Sequence, residues 1–69
     1  MRAPVAQVLR EAVRDRHSNE TFEKSLGRAV KEHQGRYEDY IDLIGKVRER
    51  AKKEKATLSD AAKSLAAEP

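Results

Sequence analysis

The stretch from Arg36 to Lys55 constrains the fold most, because its apolar residues recur three and four positions apart. This spacing puts them on one face of an α-helix. The face consists of Tyr37, Tyr40, Ile41, Ile44, Val47 and Ala51, with Leu43 at one edge. Together they predict an apolar arc of roughly 160°. Because so wide an arc usually packs on two sides, we expect this helix to be central, with the rest of the chain folded onto it.

Helix signals also surround this stretch. Pro4 suits the first position of a helix, where its missing N–H would have no partner. Ser18 or Asn19 can cap a second helix, which we expect to end at Gly35 in the left-handed conformation. Thr57 opens a capping-box sequence before a short, alanine-rich helix and a frayed end. The expected helices cover about residues 4–16, 20–34, 36–55 and 58–67, after a short lead at 1–3.

The pattern predicts an all-α fold, a small bundle of three amphipathic helices plus a short fourth C-terminal helix. We expect residues 1–69 to form a single helical domain. The short connection between the second and third helices predicts an antiparallel hairpin. A chain of 69 residues buries only about 60% of its unfolded surface. With no cysteine to form disulfides, its stability must come from helix packing, a partner or self-association.

Composition narrows the class of protein. Charged residues make up 39% of the chain and the net charge is +3, a weaker basic bias than a DNA-coating protein has. No run approaches the roughly 18 apolar residues of a membrane span. Residues 1–20 also lack the apolar core of a signal peptide. Together with the absence of cysteine, these features lead us to expect a cytoplasmic protein with no membrane partner.

No residue set indicates a catalytic, metal or cofactor site. His17 and His33 are the only histidines, whereas zinc needs three or four ligands at fixed distances. We expect each histidine to stabilise a helix C-terminus. Acidic residues near the start of the third helix suit the positive end of its dipole, and we expect them to be solvated. The sequence therefore favours a non-enzymatic protein with no cofactor.

Basic residues in the third helix are candidates for nucleic-acid contact. Lys46, Arg50 and Lys53 follow helical spacing and form a basic stripe that we expect to face solvent. Arg10 and Arg14 lie one turn apart on the first helix. Such cations can contact phosphates. They are also the ordinary solvent-exposed residues of a helix, which is the interpretation we favour, and nucleic-acid contact stays open as the alternative.

The segment Thr57–Leu65, TLSDAAKSL, is similar to the first helix of many helix-turn-helix units. In those units a capped helix of this kind precedes the recognition helix. The resemblance covers about nine residues, and no counterpart of the recognition helix follows it in this sequence.

The leading hypothesis is a protein-interaction or regulatory module that binds another protein chain or itself. We expect its contact to be an apolar seam of Tyr40, Leu43 and Val47, because the apolar arc of the third helix is wider than one hairpin partner can cover. The alternative is a nucleic-acid-binding accessory protein that uses the basic stripe together with Arg10 and Arg14.

Overall fold

A computed structural model describes residues 4–68, and in this part of the chain the fold is all-α, with no strand. The four helices are α1 (Val5–Arg14), α2 (Phe22–Glu32), α3 (Tyr37–Glu54) and α4 (Leu58–Ala67). Each expected helix is present, with ends that differ from the sequence prediction by at most two residues. The expected lead at 1–3 and the terminal Pro69 lie outside the described residues.

Threonines cap two of the helices. The Thr57 hydroxyl accepts a hydrogen bond from the backbone N–H of Asp60 at 3.1 Å, which confirms the predicted start of α4. Thr21 caps α2 in the same way, by accepting from the N–H of Lys24 at 3.3 Å. The prediction of Ser18 or Asn19 as this cap is wrong, because both lie in the preceding connection.

The end of α2 also differs from expectation. Gln34, with φ of 60°, adopts the left-handed conformation that was predicted for Gly35. The N–H of Gly35 donates to the carbonyl of Val30 at 2.8 Å, as in a Schellman motif. Glycine is needed here for space, because a Cβ would lie 2.4 Å from Val30 Cγ1. Lys55 adopts the left-handed conformation at the end of α3.

Packing among the helices does not centre on α3. α1 packs extensively against both α2 and α4, and α3 packs mainly against α4. The contact between α2 and α3 is the least extensive of these four. α4 is as long as α1, and its Ala61, Ala62 and Ala66 are buried between its neighbours. The expectation that residues 66–69 are frayed is therefore wrong at Ala66, which is buried within α4, and α4 is an integral part of the bundle.

All four helices contribute to one core. Its largest fully buried side chains are those of Leu9, Leu26, Ile44, Val8 and Val47. Ser25 is the one buried polar residue among residues 4–68, and its hydroxyl donates to the carbonyl of Ala12 at 2.6 Å, so the buried oxygen is satisfied.

Polar contacts join α1 to α2 outside the core. His33 caps α2, and its Nε2 lies 2.6 Å from Glu11 Oε2 on α1. Arg28 donates to both carboxylate oxygens of Glu20 and, at 2.8 Å, to the carbonyl of Asp15. The Arg28 contacts fix the connection between the two helices, which the helical spacing alone did not predict.

Candidate protein-binding groove

The predicted apolar seam is mostly inside the molecule. Leu43 and Val47 are 2% and 0% exposed, because both pack in the chain's own core. Only Tyr40, which is half-buried, reaches the surface. Leu43 and Val47 are therefore not available to a partner in this structure, and the predicted seam is wrong at these two residues. Helical spacing places Leu43 at the edge of the apolar arc, whereas in the structure it lies inside the buried face.

The exposed apolar surface of α3 lies on the side of the helix that faces α2. Tyr37 is 75% exposed and Ile41 is 47% exposed, although both were predicted to be core residues. The apolar face of α3 is thus wider than the part that the bundle covers. This excess agrees with the reasoning that favoured a partner, but it involves different residues.

A groove of about 430 Å³ separates α2 from α3. We call it the α2–α3 groove; its lining residues are Glu23, Gly27, Val30, Lys31, Gly35, Arg36, Tyr37 and Tyr40. The two tyrosine rings stack, with centroids 6.1 Å apart and planes inclined by 29°. Aromatic side chains of this kind supply large, amphipathic contact areas in protein interfaces. The one sequence signal for the groove is Gly27, a glycine inside the second predicted helix.

Three contacts define how the walls of the groove are arranged. Val30 meets Gly35 at one end, Gly27 lies beside the Tyr40 ring in the middle, and Glu23 pairs with Arg48 at 3.8 Å towards the other end. Residues later in α2 therefore lie beside residues earlier in α3 or in the connection that precedes it. The two helices run antiparallel, as predicted.

Charge is distributed unequally along the α2 wall. Glu23, Gly27 and Lys31 are spaced four residues apart and all line the groove. The wall thus carries a negative charge at one end, a glycine in the middle and a positive charge at the other end.

The basic stripe is less available than predicted. Arg50 is only 21% exposed at its side chain, because it donates to Ser64 at 3.0 Å and also binds the carboxylates of Glu54 and Glu68. Lys46 lies 3.4 Å from Asp42 on the same helix. Arg50 thus joins α3 to α4 and is not a solvent-facing cation, whereas Lys46 and Lys53 are exposed.

Arg10 and Arg14, the other two candidate cations, lie beside a third basic residue, Lys63. Arg10, Val13, Arg14 and Lys63 line a shallow concavity of about 570 Å³ between α1 and α4. Arg10 also approaches the carbonyl of Ala66 at 3.5 Å. The hydrogen bonds from Arg14 to Asp15 hold the pKa of that carboxyl below its ordinary value, so the Arg14 charge is partly compensated. Lys63 was missed by the sequence analysis, because only the fold brings it to α1.

Among residues 4–68, no three His, Asp or Glu side chains converge on a point that could hold a metal ion. None of the helices in the described range has the length and apolar character needed to cross a lipid bilayer.

Comparison of this chain with known protein families, curated proteins and solved structures found no match.

Proposed function

We propose that this protein is a non-enzymatic helical module that binds a protein chain through the α2–α3 groove. The observation that carries the proposal is the exposure of Tyr37 and Ile41 on a helix that otherwise packs in the core. Large apolar side chains grouped beside a groove are typical of protein-interaction surfaces. The proposal keeps the interaction function inferred from the sequence and moves its contact from Leu43 and Val47 to the groove. A cytoplasmic setting belongs to the same proposal.

The groove suits a helical partner. It runs between two antiparallel helices, and an amphipathic helix can lay its apolar side chains into such a channel. Gly27 contributes no side chain, and the nearest atom to a Cβ built there is Tyr40 Cε1 at 3.8 Å. The Tyr40 ring of α3 therefore packs at van der Waals distance against α2 at this position, so the two walls of the groove are in contact there.

Photocrosslinking tests the proposal in two steps. A photoreactive amino acid replaces Tyr37 in one variant and Lys53, on the far side of α3, in a matched control. We expect polypeptide adducts from position 37 and few from position 53. The captured chain is then identified, purified and titrated against the parent and a Tyr37→Ser/Ile41→Ser variant. We expect the exposed substitutions to weaken binding at least about tenfold while helicity is kept. Equal adducts from both positions, or equal affinity for both proteins, would contradict the proposal.

A second candidate function is nucleic-acid binding, and one observation favours it. Lys63 joins Arg10 and Arg14 at the α1–α4 concavity, which makes a three-residue basic patch that the sequence did not predict. Cations grouped in this way can contact phosphates without reading bases. The pairing of Arg14 with Asp15 and the involvement of Arg50 with α4 weaken this candidate relative to the groove.

A further inference from the structure

We infer that the occupant of the α2–α3 groove is a second copy of this chain, with the two α2 helices antiparallel across a two-fold axis near Gly27. This inference rests on the proposed function and adds the identity of the partner and the register of the contact. It is carried by the order of charges along α2. Glu23 and Lys31 lie on the same face at equal distances on either side of Gly27, about 6 Å each at the rise of an α-helix.

A two-fold axis makes this order self-complementary. In an isologous dimer each residue that contacts a second residue on the partner receives the reciprocal contact from it. When two copies of α2 run antiparallel and cross at Gly27, Glu23 of one copy faces Lys31 of the other, and the reverse pair forms at the opposite end. A parallel arrangement would instead place like charges together, which is unfavourable.

The rest of the groove fits the same arrangement. Tyr40 lies beside Gly27, so the two Tyr40 rings also come close to the axis. Tyr37 and Ile41 flank them on α3, and their exposed apolar area would be covered by the same residues of the partner.

Intramolecular pairing does not remove Glu23 from this contact. Glu23 pairs with Arg48 at 3.8 Å, and their side chains are 38% and 59% exposed. An exposed pair at this distance contributes little stability. Glu23 can therefore turn towards a lysine of the partner, and Arg48 stays on the edge of the interface as a further positive charge.

Charge reversal tests the inference directly. The mass of the parent is measured by sedimentation equilibrium over a range of concentrations, beside Glu23→Lys, Lys31→Glu and an equimolar mixture of these two variants. We expect the parent to reach twice the 7.8 kDa of one chain. Each single variant places like charges at both ends of the interface, so we expect each to remain monomeric. In the mixture every facing pair is again of opposite sign, so we expect dimers that contain one chain of each variant.

The mixture excludes the possibility that the single variants are monomeric because they are unfolded, since two unfolded variants could not form a dimer when mixed. A Lys53→Glu variant makes the same charge change as Lys31→Glu on the far side of α3, and it should keep the parental mass. A parent that is monomeric throughout, or a Glu23→Lys variant as dimeric as the parent, would overturn the inference.

The Tyr37→Ser/Ile41→Ser variant separates this inference from the proposed function. A dimer that dissociates with these substitutions but ignores the charge variants would retain the groove as the binding surface and overturn the antiparallel register. A dimer that ignores both sets of substitutions would overturn the register and also count against the groove. A monomeric parent would overturn the inference that a second copy occupies the groove. The proposed function would then be decided by the photocrosslinking experiment alone.

Discussion

The guanidinium of Arg50 donates a hydrogen bond to the hydroxyl of Ser64 at 3.0 Å and thereby joins α3 to α4. The same guanidinium binds Glu54 on its own helix and Glu68 just after α4, and Ser64 donates to Glu54 at 3.1 Å. The hydrogen bond to Glu68 raises the pKa of Arg50 above its ordinary value, so the charge is firmly retained. A residue predicted to contact phosphate is thus part of the contact between two helices.

Replacing this arginine should loosen α4 selectively. In Arg50→Ala we expect hydrogen exchange of the α4 amides to accelerate more than that of the α1 amides, because the contacts from Arg50 to Ser64 and Glu68 are lost. Lys46→Ala is the matched control, since it removes an exposed i,i+4 pair with Asp42 and should change stability by less than about 0.5 kcal/mol. Uniform acceleration along the chain would contradict a local role for Arg50.

The Glu20–Arg28 pair should make stability depend on acidity. Hydrogen bonds from Arg28 lower the pKa of Glu20 from its ordinary value of 4.5 to about 2. A depressed carboxyl pKa stabilises the folded state above the unfolded-state value, and this contribution is lost as pH falls. We therefore expect the contribution to be complete above pH 4.5 and to decline as pH falls towards about 2.

Thermal unfolding of the parent and of Glu20→Gln, measured across this pH range, isolates the effect. The amide cannot titrate, so the difference in melting temperature between the two proteins should shrink as the pH falls. A difference that stays constant from pH 4.5 down to about 2 would show that Glu20 is not responsible.

Two glycines should respond to alanine in opposite directions. At Gly35 a Cβ would lie 2.4 Å from Val30 Cγ1 and 2.9 Å from its carbonyl oxygen, so Gly35→Ala should destabilise the fold by about 1–3 kcal/mol. At Gly45, inside α3, a Cβ meets nothing within 4 Å, so Gly45→Ala should stabilise it by about 0.5–1 kcal/mol. Urea unfolding of both variants checks the signs, and equal signs would contradict the structure.

Alanine substitutions at two isoleucines on α3 should lower the free energy of unfolding by different amounts in the same urea assay. Ile44 is 2% exposed, and Ile44→Ala should cost about 2–5 kcal/mol, which is comparable to the whole stability of so small a domain. Ile41 is 47% exposed, so Ile41→Ala should cost much less. Similar losses at both positions would mean that the bundle covers Ile41, and the surface beside the groove would then lack one of its two exposed apolar residues.

Nucleic-acid binding can be tested without disturbing the bundle. Arg14→Glu/Lys63→Glu reverses two exposed charges of the basic patch between α1 and α4 and leaves Arg50 in place. If the second candidate function holds, the parent binds duplex DNA in a titration at about 50 mM salt, and the variant binds far more weakly because phosphate contacts are lost. Under the groove proposal, the parent shows no salt-sensitive binding. Strong parental binding that the variant loses, with helicity intact, would favour nucleic-acid binding.

The number and approximate bounds of the helices could be predicted from the sequence because those signals are local. Apolar residues three or four apart, the threonine cap at Thr57 and the chain reversal at Gln34-Gly35 act within a few residues. The reversal was correctly located even though its left-handed residue was assigned to Gly35. A Schellman motif involves several adjacent residues, and glycine at its last position can reflect space instead of a positive φ.

Only the tertiary structure decides which part of each helix face is buried and which part is exposed. Periodicity identifies an apolar side of α3, but it does not state which part of that side a neighbour covers. The bundle buries Leu43 and Val47 and leaves Tyr37 and Ile41 exposed, because α3 packs closely on α4 and loosely on α2. Likewise, the charge of Arg50 is evident in the sequence, whereas its partners lie 14 and 18 positions away at Ser64 and Glu68. Contacts between distant residues depend on how the helices are arranged in space, and no local pattern encodes that arrangement.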